Sequence, residues 1–424
     1  MQEKRERGLS VRSAIFPMVG SIMGSGVLNL PQSVELSGYL MSGPLLAFIS
    51  AVSAFTLFQL VHCAKQLEGK GREPSYFLVC KTAFPVLGYA ADGFIGIQGL
   101  GCCFCYFLIL KSWISKLLGW DTYLEQNLLM NLIFSAGLMA IPGFMATLKD
   151  LKKLNFASVL CTISVLYLSL LVLVCGGLAL WLPPVAKTAA DSPLRAYTTE
   201  PSKLFAALSK YVFALGCQQN MVRVFSLLDR PTVGNGAKVG AGAVGVAAFV
   251  FFLVSNGGYL AGGNGQKESI LDVLENKNKP FYQLIVKHIG EKFFWLVTLA
   301  KIGMATVLFA GYPIQMHPSR DAVLTFVSLG LSKSVAAHRR WYEVGVVVLV
   351  SLAIMLGSLT SVQYSFVMSL ISTTASCYIM FALPSIAYLM FPKKTPLFTG
   401  ISVAILAGSI LFSIIGTKEV LESA

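Results

Sequence analysis

Residues Ile22-Met23-Gly24-Ser25-Gly26-Val27-Leu28-Asn29-Leu30-Pro31 place two glycines, a serine and a proline inside the first apolar stretch of the chain. In water such a run is an ordinary turn. Inside a bilayer, every amide that leaves the helical ladder needs another partner, at a cost of roughly 2–7 kcal/mol for each group left bare. Irregular backbone at that depth is tolerated where it lines a cavity, and freed amides and half-helix ends there make a ligand site. Ser25 is the one side chain of the Gly24–Gly26 run able to hydrogen-bond a carboxylate. Small residues also favour close helix–helix contact, but the succeeding Asn29 and Pro31 favour a true break. A second interruption, Phe213-Ala214-Leu215-Gly216-Cys217-Gln218-Gln219-Asn220, sets a glycine before three adjacent amides, which is poor membrane-helix sequence.

The elements that must position these breaks follow from composition. The 424 residues are 55% hydrophobic and 12% charged, with a mean hydropathy of +0.70, so the solvent is mostly lipid. Eleven spanning helices are predicted, at 13–36, 39–66, 86–117, 125–144, 155–182, 203–228, 236–262, 292–316, 342–360, 362–391 and 396–416, each near or above the ~20 residues a bilayer needs. Residues 1–12 read as a cytosolic tail without signal-peptide character, 13–416 as one transmembrane domain and 417–424 as a C-terminal tail. Two longer loops, Pro183 to Ser202 and Gly263 to Glu291, read as solvated and partly mobile. The first and sixth segments are both interrupted, five helices apart, which points to a five-plus-five inverted-repeat transporter fold with helices 1 and 6 broken.

The net charge of +13 does not indicate nucleic acid. The basic residues gather at alternate helix ends: Lys4/Arg5/Arg7/Arg12, Lys65/Lys70/Arg72/Lys81, Lys149/Lys152/Lys153, Arg320/Lys333/Arg339/Arg340 and Lys393/Lys394. That asymmetry puts the N-terminus in the cytosol and the C-terminus on the exofacial or lumenal side. The nine cysteines lie in or beside apolar segments and no Asn-x-Ser/Thr sequon occurs, which suits an intracellular membrane.

Four stretches resemble the amino acid/auxin permease family, which includes vacuolar and sodium-coupled neutral amino acid transporters. They are Ile22-Met23-Gly24-Ser25-Gly26-Val27-Leu28; Leu148-Lys149-Asp150-Leu151-Lys152-Lys153-Leu154 with Ser158; Phe213-Ala214-Leu215-Gly216-Cys217 with Leu228 and Pro231; and Tyr312-Pro313-Ile314-Gln315 with Pro318 and Arg320. The resemblance implies eleven helices, alternating access and an amino acid as substrate. It implies that the substrate's α-carboxylate docks on amides of Ile22, Met23, Gly24, Ser25 and Gly26, and that carbonyls of both breaks, including Ala214, Leu215 and Gly216, accept from its α-ammonium. Sodium-coupled members carry an Asn and a Thr as ion ligands where this chain has Gly20 and Gly311. Glycine has no side-chain oxygen, and hard cations want several oxygen ligands, so proton-coupled or facilitative transport is expected.

Other residues carry two readings each. Lys301, deep in the eighth segment, is a candidate for ion coupling, as a fixed charge or proton carrier, or else snorkels outward. Lys210 and Arg223 read as snorkelling or salt-bridged, and Asp92 and Glu35 as interfacial. Tyr106 is either a core aromatic or a pocket wall, and Ser369 and Thr373 line the path or bond back to their own helix. No enzyme constellation, cofactor loop or metal-ligand spacing is present in the sequence. The expectation is a transporter of small or medium neutral amino acids in a vacuolar, lysosomal or plasma membrane, with the bilayer and the substrate as its partners, no nucleic acid and no obligate protein partner. A membrane amino acid sensor without flux, a cationic amino acid transporter and a channel are the alternatives.

Overall fold

The computed structural model describes residues 8–67, 74–148, 155–183, 194–266, 269–360 and 362–422. The predicted basic positions Lys4, Arg5, Arg7, Lys70, Arg72, Lys149, Lys152 and Lys153, most of the loop motif at 148–154, and the side chains of Ser158 and Lys333 fall outside the description. The described chain is helical, with no strand; its extended contact is an isolated bridge between Leu9 and Leu228.

The first span is broken as expected. Helix α1 (Val11–Ile22) gives way to a short 3-10 turn over Ser25–Asn29, and α2 (Leu30–Ser37) resumes with Pro31 in its first turn. The chain returns through α3 (Tyr39–Leu67), runs along the surface in α4 (Tyr76–Ala83), and crosses again in α5 (Pro85–Leu118). A short α6 (Asp121–Gln126) leads to α7 (Leu128–Thr147) and α8 (Asn155–Trp181). The sixth predicted span is split into α9 (Pro201–Ala214) and α10 (Gln218–Ser226), followed by α11 (Val233–Gly262). Two short helices, α12 (Ile270–Glu275) and α13 (Pro280–His288), precede α14 (Phe294–Ala337) and α15 (Arg339–Gly357). The tenth span runs from α16 (Tyr364–Ile371) through two π-helical turns into α17 (Leu383–Met390), and α18 (Pro396–Glu422) ends the chain.

Nine described helices are long and apolar enough to cross a membrane, ten when α1 and the segment bent 53° from it count as one span. The predicted eleventh rests on α9 and α10. They fall short because the break leaves pieces of 14 and 9 residues, and because Gln218, Gln219, Asn220 and Arg223 make α10 polar. The predicted limits change most at α14. Up to its kink at Leu331, residues 294–330 extend about 55 Å at ~1.5 Å per residue, against a hydrocarbon core of ~30 Å. Arg320 and Asp321 end the apolar stretch, yet they bond each other at 2.9 Å, so the charge does not end the helix. It bends only at Leu331 (φ −124°, ψ 37°). The last helix likewise continues past 416 to Glu422.

The two broken spans run antiparallel at the centre. At one face the amide of Leu9 donates to the carbonyl of Leu227 (2.8 Å), and Asp229 donates to Leu9 (3.0 Å). At the opposite face Tyr39 and Leu40 donate to the carbonyls of Arg195 and Ala196. We call these the N-terminal face and the far face.

The predicted mobile loop on the far face is in part a folded cover. Ser269 caps α12 by accepting from the amide of Asp272, and Ile270, Leu271, Val273 and Leu274 are buried. The helix is riveted by charge: Lys301 Nζ lies 3.1 Å from Asp272 Oδ1 and 2.6 Å from Glu275 Oε2. Trp113 Nε1 and Ser269 Oγ also donate to Asp272, at 3.0 and 2.6 Å. Lys301 is therefore fastened at the far face by two carboxylates. The signal was present as Ser269-Ile270-Leu271-Asp272, a serine three residues before an acid at a helix start.

Burial raises the carboxyl pKa of Asp272, but Lys301, Lys116 and the bonds from Ser269 and Trp113 outweigh it, so the group ionises below its ordinary value. A depressed pKa contributes stability above the ordinary carboxylate range that is lost as pH falls through the folded-state value. Asp272→Asn is expected to lower the unfolding midpoint of detergent-solubilised protein at neutral pH by the equivalent of about 1–3 kcal/mol. It should also flatten the fall of that midpoint on acidification. A variant matching the wild type at neutral pH would contradict this anchoring.

Candidate functional site

At the first break the amide of Met23 still reaches Val19 O (2.8 Å), and Val27 reaches Gly24 O (3.3 Å). Between them, among the described residues, the amides of Gly24, Ser25 and Gly26 find no backbone acceptor, and the carbonyls of Gly20 to Met23 no backbone donor. Gly24 is extended (φ −133°, ψ −155°), so these groups do not rejoin the helix. At the second break Leu215 closes on Tyr211 O (3.0 Å) and Gly216 on Phe213 O (3.4 Å), leaving the Ala214 and Leu215 carbonyls without backbone donors.

Gln218 holds this second break in place. Its Oε1 accepts from the amide of Cys217 (3.0 Å), and its Nε2 donates to Ser53 Oγ (2.9 Å) and Thr56 Oγ1 (3.3 Å) on α3. The side chain is fully buried. An amide that disfavours a lipid-exposed helix here supplies both a donor and an acceptor to polar groups that would otherwise be orphaned.

The two breaks touch. A Cβ on Gly26 would sit 2.9 Å from Ala214 Cα and 3.2 Å from its Cβ, so only glycine permits this approach. Beside the contact lies a cavity of ≈ 900 Å³ that opens toward the N-terminal face. Of the predicted substrate positions, Ile22, Met23, Gly24, Ser25, Gly26, Tyr106, Ala214 and Gly216 all line it. Leu215 is buried and does not line it. Tyr106 places its hydroxyl against the side chains of Ser25 and Gln315, and a Cβ on Gly311 would meet its ring at 3.0 Å.

Ser369 and Thr373 lie elsewhere. They line a separate vestibule of ≈ 620 Å³ at the far face, together with Glu35, Lys203, Lys210 and Glu419. The reason is the π-helical turn at Ser372–Ser376. Thr373 Oγ1 bonds back to the carbonyls of Ser369 and Leu370, and Thr374 Oγ1 to Leu370 O at 2.6 Å. These hydroxyls compete with the amides for helix carbonyls and go with a widened ladder.

Between cavity and vestibule the space shrinks to ≈ 10 Å³, lined by Gly26, Asn29, Ser209, Lys210, Phe213, Met368 and Ser369. Asn29 ties this neck shut: its Nδ2 lies 2.7 Å from Met368 Sδ, and its Oδ1 accepts from Tyr364 Oη at 2.9 Å.

Gln98, Thr162, Gln219, Asn220, Arg223 and Gln315 also line the cavity. Spacing alone offers no reason to single out Gln98 or Thr162, which only tertiary packing brings to the breaks. Gln315 stands within the Tyr312-Pro313-Ile314-Gln315 run, but the motif does not say what it faces. No carboxylate lines the cavity among the described residues.

Gly26→Ala is expected to destabilise the purified protein by about 1–3 kcal/mol, because the added methyl forces the breaks apart. Gly24→Ala meets nothing within 4 Å and should cost far less in the same thermal-unfolding measurement. Equal behaviour of the two variants would refute the contact.

The sequence matches, over residues 7–418, the family described as transmembrane amino acid transporter protein. It is 24% identical to vacuolar amino acid transporter 5 of Schizosaccharomyces pombe, over 94% of this chain and 90% of that protein. It is also 24% identical to putative sodium-coupled neutral amino acid transporter 11 of Bos taurus, over 93% of this chain and 79% of that one. Among solved structures, MhsT in complex with L-phenylalanine shares the fold, with a TM-score of 0.55 at 13% identity, covering 98% of this chain and 100% of the other. A multi-pass helical protein with two facing breaks and a family match over nearly its whole length, this chain belongs to the transmembrane amino acid transporter family.

Proposed function

We propose that this chain carries neutral amino acids across a membrane by alternating access, with its substrate held between the two breaks. The observation that carries the reading is the meeting of amides without backbone acceptors at Gly24–Gly26 with the carbonyl of Ala214, which has no backbone donor, beside one ≈ 900 Å³ cavity. A zwitterion offers the complement. Its α-carboxylate takes the Gly24–Gly26 amides and the Ser25 hydroxyl, and its α-ammonium donates to carbonyls of Ile22, Met23, Ala214 and Leu215. The substrate side chain then extends toward Gln98, Cys102 and Thr162.

A cavity without a carboxylate, and with Arg223 at its wall, supports neutral over cationic substrates. Access from the N-terminal face with a closed neck beyond it supports a cycle in which opening the neck closes the opposite side. We place the protein in a vacuolar or lysosomal membrane, N-terminus cytosolic, on the basic helix ends and the vacuolar names of several relatives.

Sodium coupling is disfavoured by geometry as well as by composition. A side chain at Gly311 would crowd the Tyr106 ring at 3.0 Å. Flux into proteoliposomes is expected to be unchanged when sodium is replaced by potassium or choline; strict sodium dependence would overturn this part of the reading. Binding without flux would identify a sensor.

Tyr106→Phe removes the hydroxyl that braces Ser25 and Gln315. It is expected to raise KM about 5–10-fold, equivalent to about 1–1.4 kcal/mol, with little change in protein yield. An unaltered KM would remove Tyr106 from the site.

A further inference from the structure

We propose that Gln98 sorts neutral substrates by hydrogen-bonding an oxygen in the substrate side chain. This role rests on the transport reading above and adds what the cavity recognises beyond the α-carbon.

Ile95, Gln98, Cys102 and Tyr106 recur on α5 at three- and four-residue steps, so they share one helix face, and all four line the cavity. Gln98 is the one amide of this stripe. The rotation of α5 is fixed next door: a Cβ on Gly99 would run into Ser319 Oγ and lie 2.7 Å from Gln315 O, so α5 and α14 meet at backbone distance. Gln98 is thereby turned toward the second break, with its Nε2 3.8 Å from where a Cβ on Gly216 would stand. Gly216 follows Ala214 by two residues, and Ala214 is the residue that touches Gly26. An amino acid whose α-groups occupy the Gly24–Gly26 amides and the Ala214 carbonyl therefore has Gln98 within reach of its side chain.

Among the described residues no hydrogen bond engages either end of this amide, and its Oε1 is buried without a partner. The nitrogen is the end left to the cavity that the side chain lines. Other polar groups of the wall are committed or placed elsewhere. Ser25 and Gln315 both meet the Tyr106 hydroxyl. Gln219, Asn220 and Arg223 lie further along α10, toward the N-terminal face.

An amide nitrogen donates, so its complement is an acceptor oxygen. In glutamine the side-chain carbonyl stands at the third carbon beyond the α-carbon, at the depth of Gln98. Methionine is of similar length but ends in a thioether, a weak acceptor. Binding it would strip water from Nε2 and return nothing, which is why a site that hydrogen-bonds its substrate rejects analogues lacking the partner group more sharply than an apolar site does. A carboxylate would accept too, but it brings a net charge to a wall whose one Lys or Arg among the described residues is the exposed Arg223. The inferred order places glutamine above both methionine and glutamate.

The test measures counterflow by the purified full chain in proteoliposomes, with tritiated glutamine, methionine and glutamate as probes. Glutamic acid γ-methyl ester, which keeps the side-chain carbonyl and lacks the N–H groups, serves as a competitor. In the wild type kcat/KM for glutamine is expected to exceed that for methionine about 10-fold or more, and the ester to compete within about 3-fold of glutamine. Gln98→Met is expected to lose the preference, with glutamine falling, methionine holding, and the two ending within about 3-fold of each other. A wild type that exchanges amino acids without preferring glutamine to methionine overturns the proposal. So does a preference for glutamate over glutamine, or an ester that competes no better than methionine. Equal loss of glutamine and methionine in a Gln98→Met protein of unchanged unfolding midpoint also overturns it, because Gln98 would then serve the α-groups common to all substrates. The ester and methionine comparisons need only the wild type, so they decide the matter even where the variant does not fold. A wild type that exchanges no amino acid at all defeats the transport reading itself.

Discussion

Peptide groups that leave the helical ladder within lipid depth are the constraint on which this structure depends. Each amide or carbonyl so exposed costs several kcal/mol unless another dipole meets it. The chain accepts that cost at two places only five spans apart and brings them into contact, at Gly26 and Ala214. The freed groups then belong to one cavity, where a zwitterion can satisfy both sets at once. Placed apart, the same breaks would each be a defect.

The polar side chains near the breaks divide the work. Gln218 faces away from the cavity and satisfies Cys217, Ser53 and Thr56, so the geometry of the second break does not depend on a bound solute. Tyr106 braces the first break through Ser25. Asn29 closes the passage to the far face through Met368 and Tyr364. The second break is thus firmly held beside the cavity while the neck is weakly latched, since a sulfur acceptor and a single phenol bond are modest interactions.

Charge is arranged on the same principle. Lys301 finds two carboxylates and becomes a rivet for the covering helix α12. Lys210 lines the neck and the far vestibule, where Glu35 accepts from the backbone amides of Gly265 and Gln266. Lys301 reads in the sequence as an ion-coupling candidate and Lys210 as snorkelling or salt-bridged, yet among the described residues it is Lys301 that holds two carboxylates.

Much of this protein was legible before any coordinates. The spans follow from the length of apolar runs, because lipid thickness is a one-dimensional ruler. The breaks at Gly24–Gly26 and Leu215–Cys217 were visible because a bilayer penalises backbone irregularity wherever it occurs, whatever the neighbours. What depended on tertiary structure was every pairing between distant segments: Tyr106 with Ser25, Lys301 with Asp272, Thr373 in the far vestibule and Ser369 between that vestibule and the neck. Those outcomes hinge on helix rotation and on a π turn of a few residues, and neither leaves a periodic trace in sequence. The length of α14 was hidden for a related reason: hydropathy ends where lipid ends, whereas a helix ends where its backbone bonds do.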